Sequence, residues 1–119
     1  MKKTLVLGAS TNPSRISHIA VHRFLAGGHE PVPVGIREGA IANVPIQQGK
    51  PPLEDIHTVT LYLNAKRQPE YYDYILSLNP IRIIFNPGTE NAELAKMARE
   101  QGIEVDAGCT LVMLTLDDY

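Results

Sequence analysis

The chain has 119 residues, 11 Lys and Arg against 13 Asp and Glu, a formal charge of −2 at pH 7 and 44% hydrophobic residues. This length suits one domain that buries a core without disulfides or metals, and the mild acidity argues against nucleic acid or an anionic membrane as partner. No apolar run approaches the roughly 18 residues that cross a bilayer. The one cysteine, Cys109, excludes an internal disulfide framework and a multi-cysteine metal site.

In chain order, strand-like and helix-like pieces alternate. Thr4–Leu7 is a short apolar strand ended by Gly8. The lysines of the opening "MKKTLVLGAS" mimic a signal peptide only faintly, because Asn12, Pro13 and Arg15 interrupt the apolar part, so a cytoplasmic protein is expected. Ser14 to Ala26 has helical spacing, with Ile16, Ala20 and Phe24 four apart and Gly27–Gly28 as its stop. "EPVPVG" is a second strand, and Pro31 and Pro33, which cannot donate to a ladder, place it beside an uncovered edge or a bulge. Ile36 to Asp55 reads as irregular, with one short strand near Val44–Gln47.

"HTVTLYLN" is a third strand, with Val59, Leu61 and Leu63 alternating with Thr60 and Tyr62. Pro69 opens a helix striped by Tyr71, Ile75 and Leu78. "IRIIF" is a further strand. "NPGTENAELAKMAREQG" is a helix capped by Thr89 or Asn91 and stopped by Gly102. "IEVDA" is the last strand, and periodicity leaves the tail "CTLVMLTLDDY" unassigned. Such alternation predicts an α/β fold: a Rossmann-like three-layer domain with a mostly parallel sheet of about five strands, spanning the whole chain.

Ligands of such sheets lie outside the carboxyl ends of the strands, where strand order reverses. After strand one, Gly8, Ala9 and Ser10 keep side chains small, so backbone N–H groups can approach a phosphate at a helix N-terminus, and Arg15 can fork onto it. The alternative is that Gly8 only makes a tight turn and Arg15 is a solvated charge. "GASTNP" is not the three-glycine dinucleotide fingerprint, and no Gly-Lys-Ser/Thr follows. The end of strand two offers Gly35, Ile36 and Arg37 in place of the acid that holds a ribose 2′-hydroxyl in NAD sites, and a cation there suits a phosphorylated ribose.

The runs "GASTNPSRIS", "HEPVPVG" and "FNPGTENAELAKMAREQGIEVDAGC" resemble the stand-alone CoA-binding domain proteins, small bacterial proteins related to the N-terminal domain of the succinyl-CoA synthetase alpha subunit. The resemblance covers Leu5 to Cys109. It implies CoA lying across the carboxyl edge of the sheet, with the pyrophosphate at Gly8, Ala9, Ser10 and Arg15. The adenosine would lie near Pro33, Val34 and Gly35, and the pantetheine arm would pass Leu63, Asn64 and Pro87–Gly88. Two departures stand out. Gly35-Ile36-Arg37 replaces an Asn-Pro pair often followed by Lys, and Asn86 precedes the turn after the fourth main strand.

Other constellations carry less. His18 and His22 share a helix face as two zinc ligands can, but no third ligand is near in sequence, so surface polar groups are the simpler reading. Cys109 follows the last strand and, with apolar residues downstream, is expected to be buried and inert. Tyr71, Tyr72 and Tyr74 fall on different helix faces, so one is expected to pack and the others to be exposed. No Ser-His-Asp or Cys-His arrangement has local support. The function expected is therefore binding of CoA or a CoA thioester without catalysis by this chain alone. The alternatives are an NADP-dependent oxidoreductase-type domain and an interaction module with a vestigial pocket.

Overall fold

The computed structural model describes residues Met1–Tyr119. Five strands form a parallel sheet: β1 (Lys3–Leu7), β2 (Glu30–Val34), β5 (Thr58–Leu61), β6 (Arg82–Phe85) and β7 (Glu104–Ala107), in the order β2-β1-β5-β6-β7. The chain steps from β1 to one side and then returns to its other side, so the order reverses at the carboxyl end of β1. Leu5 and Leu7 of β1 stand in register with Val32 and Val34 of β2 and with Val59 and Leu61 of β5. These positions face α2 (Tyr72–Ser77) and α3 (Ala92–Glu100), whose Ile75, Leu94 and Ala98 close one core. The opposite face carries Val6 and Ile84, covered by Ala20, Val21 and Phe24 of α1 (Ile16–Ala26) and flanked by α4 (Thr110–Thr115). Parallel strands covered on both faces need apolar residues on both, which is why β1 reads as a continuous run.

The prolines of β2 mark the edge as expected. Pro33 and Gly35 present their outward groups to Gln47, which donates to the Pro33 carbonyl (2.9 Å) and accepts from the Gly35 amide (3.0 Å). The segment read as irregular instead holds a second strand. Residues of β3 (Gly39–Ile41) pair with β4 (Val44–Ile46) as an antiparallel hairpin, turned by Ala42 and Asn43 at φ 49° and 67°. Neither residue is glycine, so the turn signal was weak.

Two other expectations change, and the unassigned tail takes a conformation. The helix opened by Pro69 is a 3₁₀ turn, Pro69–Tyr71, before the short α2. All three tyrosines are half-buried rather than one: Tyr74 donates to the Pro51 carbonyl in the loop before β5 (2.6 Å), and Asn91, at the start of α3, donates to the Tyr72 hydroxyl (2.8 Å). The tail forms α4, and Tyr119 returns to pack its ring on Phe24 and under the Arg82 guanidinium, 4.4 Å from the ring centroid. No helix is long and apolar enough to cross a membrane.

Candidate functional site

A cleft of about 950 Å³ runs along the carboxyl ends of β2, β1, β5 and β6 and reaches Cys109 beyond β7. That volume lies at the upper end of small-molecule sites, roughly 300–1,000 Å³. Eleven of the twelve residues expected at the site line it: Gly8, Ala9, Ser10, Arg15, Val34, Gly35, Arg37, Leu63, Asn64, Pro87 and Gly88. Pro33 is buried in β2 away from the lining, because its ring sits on the sheet face.

The first turn is built by close backbone approach. Gly8 has φ 102°, and a Cβ there would come within 3.1 Å of the Tyr62 carbonyl carbon. A Cβ on Gly35 would lie 2.2 Å from the Ala9 carbonyl oxygen, so the ends of β1 and β2 can meet only with glycine at this position. This proximity lets the Val34 carbonyl accept from both the Gly8 and the Ala9 amides, each at 2.9 Å. Two of the N–H groups expected to face a phosphate are therefore engaged within the sheet edge. The amides of Ser10, Thr11, Ile16 and Ser17 have no acceptor in the chain, and all four residues line the cleft. The latter two open α1, where the helix dipole favours an anion. Asn12 braces the turn, its Oδ1 accepting from the Ser14 amide (3.0 Å) and hydroxyl (2.7 Å).

Arg15, Arg37 and Arg67 are the only charged residues in the lining, and no acid accompanies them. All three are exposed. Sequence reasoning missed Arg67, which follows β5 in a 3₁₀ turn that Asn64 caps by accepting from the Arg67 amide (3.2 Å). Its only signal was a cation a few residues beyond a strand's carboxyl end.

Buried amide side chains hold the later loops. Gln68, fully buried, donates to the Leu63 and Thr89 carbonyls, both at 2.8 Å, and ties the loop after β5 to the loop after β6. Asn86 donates to the Thr60 hydroxyl (2.7 Å) and the Leu61 carbonyl (2.9 Å), and its Oδ1 accepts from the Thr110 amide (2.9 Å). The departure noted at Asn86 is thus a strut joining β5, β6 and α4. At the same end the Tyr62 hydroxyl is buried without a hydrogen-bond partner. Burial pushes its pKa up to about 12.

Cys109 corrects its expectation. It is partly exposed and lines the cleft, because the apolar residues after it belong to α4, which turns them onto α1 and leaves the cysteine ahead of the helix. A thiol there faces whatever the cleft holds.

Comparisons with known proteins give the fold and the family. A solved structure described only as an uncharacterized protein is 48% identical, with TM-score 0.97, covering 100% of this chain and 98% of that one. The Thermus thermophilus protein "cell-free ID.343" is 21% identical with TM-score 0.85 over 99% of this chain and 90% of its own. The dinucleotide-forming acetyl-coenzyme A synthetase 1 of Ca. Korarchaeum cryptofilum, solved with phosphate and ADP, is 15% identical with TM-score 0.71; the match covers 90% of this chain and 25% of that much longer one. At such identities the last two share the fold alone. A search of curated proteins gives no match. Residues 2–115 match the family described as CoA binding domain. With that match over nearly its whole length, the chain belongs to the CoA-binding domain family.

Proposed function

We propose that the chain, as one unit, binds CoA or a CoA thioester along the carboxyl edge of its sheet and performs no catalysis by itself. The observation that carries this reading is the cleft lining: three arginines, unbonded polar amides and no acid. CoA is a matching polyanion, with a diphosphate and a 3′-phosphate. Arg15 and the amides of Ser10, Thr11, Ile16 and Ser17 would hold the diphosphate, and Arg37 the 3′-phosphate. The pantetheine arm would run past Leu63, Asn64, Pro87 and Gly88. Its reach supports the route. Three strand spacings separate β1 from β7, about 14 Å, and the arm's dozen or so bonds, at ~1.2 Å each, also extend about 14 Å. A cytoplasmic setting, expected from the sequence, is kept with this proposal.

A site with Arg37 after β2 and no acid there would also suit a 2′-phosphorylated dinucleotide, so the test carries both ligands. CoA or acetyl-CoA at a hundredfold excess over its dissociation constant stabilises the folded state by about 2.7 kcal/mol, visible as a raised Tm. NAD and NADP are expected to leave Tm unchanged. A shift with NADP and none with millimolar CoA overturns the proposal.

A further inference from the structure

We propose that His18 is a positioning residue for the anion cradle, aiming the Thr11 amide into the cleft through the Ser10 carbonyl; the inference rests on the CoA reading of that cleft. His18 lies in the first turn of α1, and its Nδ1 stands 2.9 Å from the Ser10 carbonyl oxygen. A carbonyl only accepts, so Nδ1 carries the hydrogen. A neutral ring then has a bare Nε2, which lies 3.3 Å from His22 Nε2, and His22 must be the donor. One turn of helix thus fixes both tautomers, and the pair that resembled half a metal site acts as an ordered brace.

The consequence for the turn follows from peptide geometry. In a planar trans peptide the carbonyl of one residue and the N–H of the next point in opposite directions. Holding the Ser10 carbonyl against α1 therefore turns the Thr11 N–H away from the helix and toward the cleft, where it has no acceptor in the chain. The backbone of Ser10 makes no other hydrogen bond, so His18 alone sets the rotation of this peptide. Asn12 braces the turn on the far side, through Ser14 and through its own amide to the Ser10 hydroxyl (3.1 Å), and neither bond engages the Ser10–Thr11 peptide. The His18 bond is half-buried at the surface, so its loss should affect the ligand more than the fold.

The test compares wild type, His18→Asn and His18→Leu by calorimetry with CoA and with inorganic pyrophosphate, which reports on the cradle alone, with Tm measured in parallel. Asparagine carries its amide nitrogen near the position of Nδ1 and keeps the donor; leucine removes it. The leucine variant is expected to bind both ligands about tenfold more weakly, with Tm within about 3 °C of wild type, and the asparagine variant to recover most of the affinity. Two-bond proton–nitrogen NMR spectra should show His18 as the Nδ1–H tautomer in the free protein. Leucine binding as tightly as wild type, asparagine binding as weakly as leucine, or an Nε2–H tautomer overturns the positioning role while the CoA reading stands. If the leucine variant fails to fold, the tautomer and the asparagine variant decide. Wild type that binds neither CoA nor pyrophosphate overturns both readings.

Discussion

Arg37 stands three residues beyond the end of β2, exposed at the rim of the cleft. CoA and dephospho-CoA differ only by the 3′-phosphate, so this pair of ligands isolates the contact assigned to Arg37. A well-formed charge-assisted pair would favour CoA by about 1.5–3 kcal/mol, whereas a solvated pair contributes roughly 1 kcal/mol or less and fades with salt. Arg37 has no fixed partner in the free protein, which points to the lower part of this span. Paired titrations of both ligands against wild type and Arg37→Ala should show a preference for CoA that the substitution removes. Equal affinities in wild type would take Arg37 out of the site.

At the scale of elements, the site depends on how tightly β1 and β2 converge. The first turn exists because the Val34 carbonyl receives two amides, and that requires Ala9 to sit against Gly35. Gly35→Ala would place a methyl 2.2 Å from a backbone oxygen, a contact only backbone movement can relieve. Overpacking of this kind costs about 1–3 kcal/mol. We expect Gly35→Ala to lower the denaturant midpoint and to weaken CoA binding as well, because the displaced turn carries Ser10 and Thr11. Gly28→Ala is the comparison: Gly28 also has a positive φ, 78°, but nothing lies within 4 Å of its added carbon and it is remote from the cleft. It should lose stability and leave affinity unchanged. A Gly35→Ala protein with wild-type affinity would show that the cradle does not depend on this junction.

Across the whole molecule, the two edges of the sheet have different chemistry. The carboxyl edge holds the cleft; the amino edge gathers Lys2, His29, His57 and Arg82 around Tyr119. Burial lowers the pKa of both histidines from 6.5, with the neighbouring cations, the N-terminus, Lys2 and Arg82, adding to it, and Asp117 opposing it at His29. The folded protein therefore takes up these protons only at a lower pH than the unfolded chain does. Their contribution to stability is fully present above about 6.5 and declines as pH falls from there through the lowered folded values. Urea midpoints should drop between about pH 7 and about pH 5, and His29→Gln combined with His57→Gln should flatten that decline. A pH profile identical in the double variant would remove both histidines from the account. Ligand affinity should be insensitive to these substitutions, since they lie at the opposite edge from the cleft.

How much was legible in the sequence follows from the range of each interaction. Strands and helices come from local periodicity and punctuation: Leu5–Leu7, Val59–Leu61 and Ile83–Phe85 announce buried parallel strands, Asn91 announces the start of α3, and the two prolines announce that β2 has an open edge. The carboxyl-edge location of the cleft follows from that alternation alone. The hairpin of β3 and β4 was hidden because Ala42 and Asn43 adopt left-handed geometry without a glycine to signal it. Which amides remain free could not be read at all. Gly8 and Ala9 look like the cradle, and only the approach of Val34 from a strand 25 residues away engages them and leaves the amides of Ser10, Thr11 and the start of α1 free. The exposure of Cys109 was likewise set at a distance, by an α4 that Asn86 anchors across 24 residues of sequence. The sequence by itself determined which segments form strands and helices, because that depends on residues within a few positions of one another. Tertiary structure alone decided which donors face the cleft, because the Val34 carbonyl that claims the Gly8 and Ala9 amides comes from the neighbouring strand.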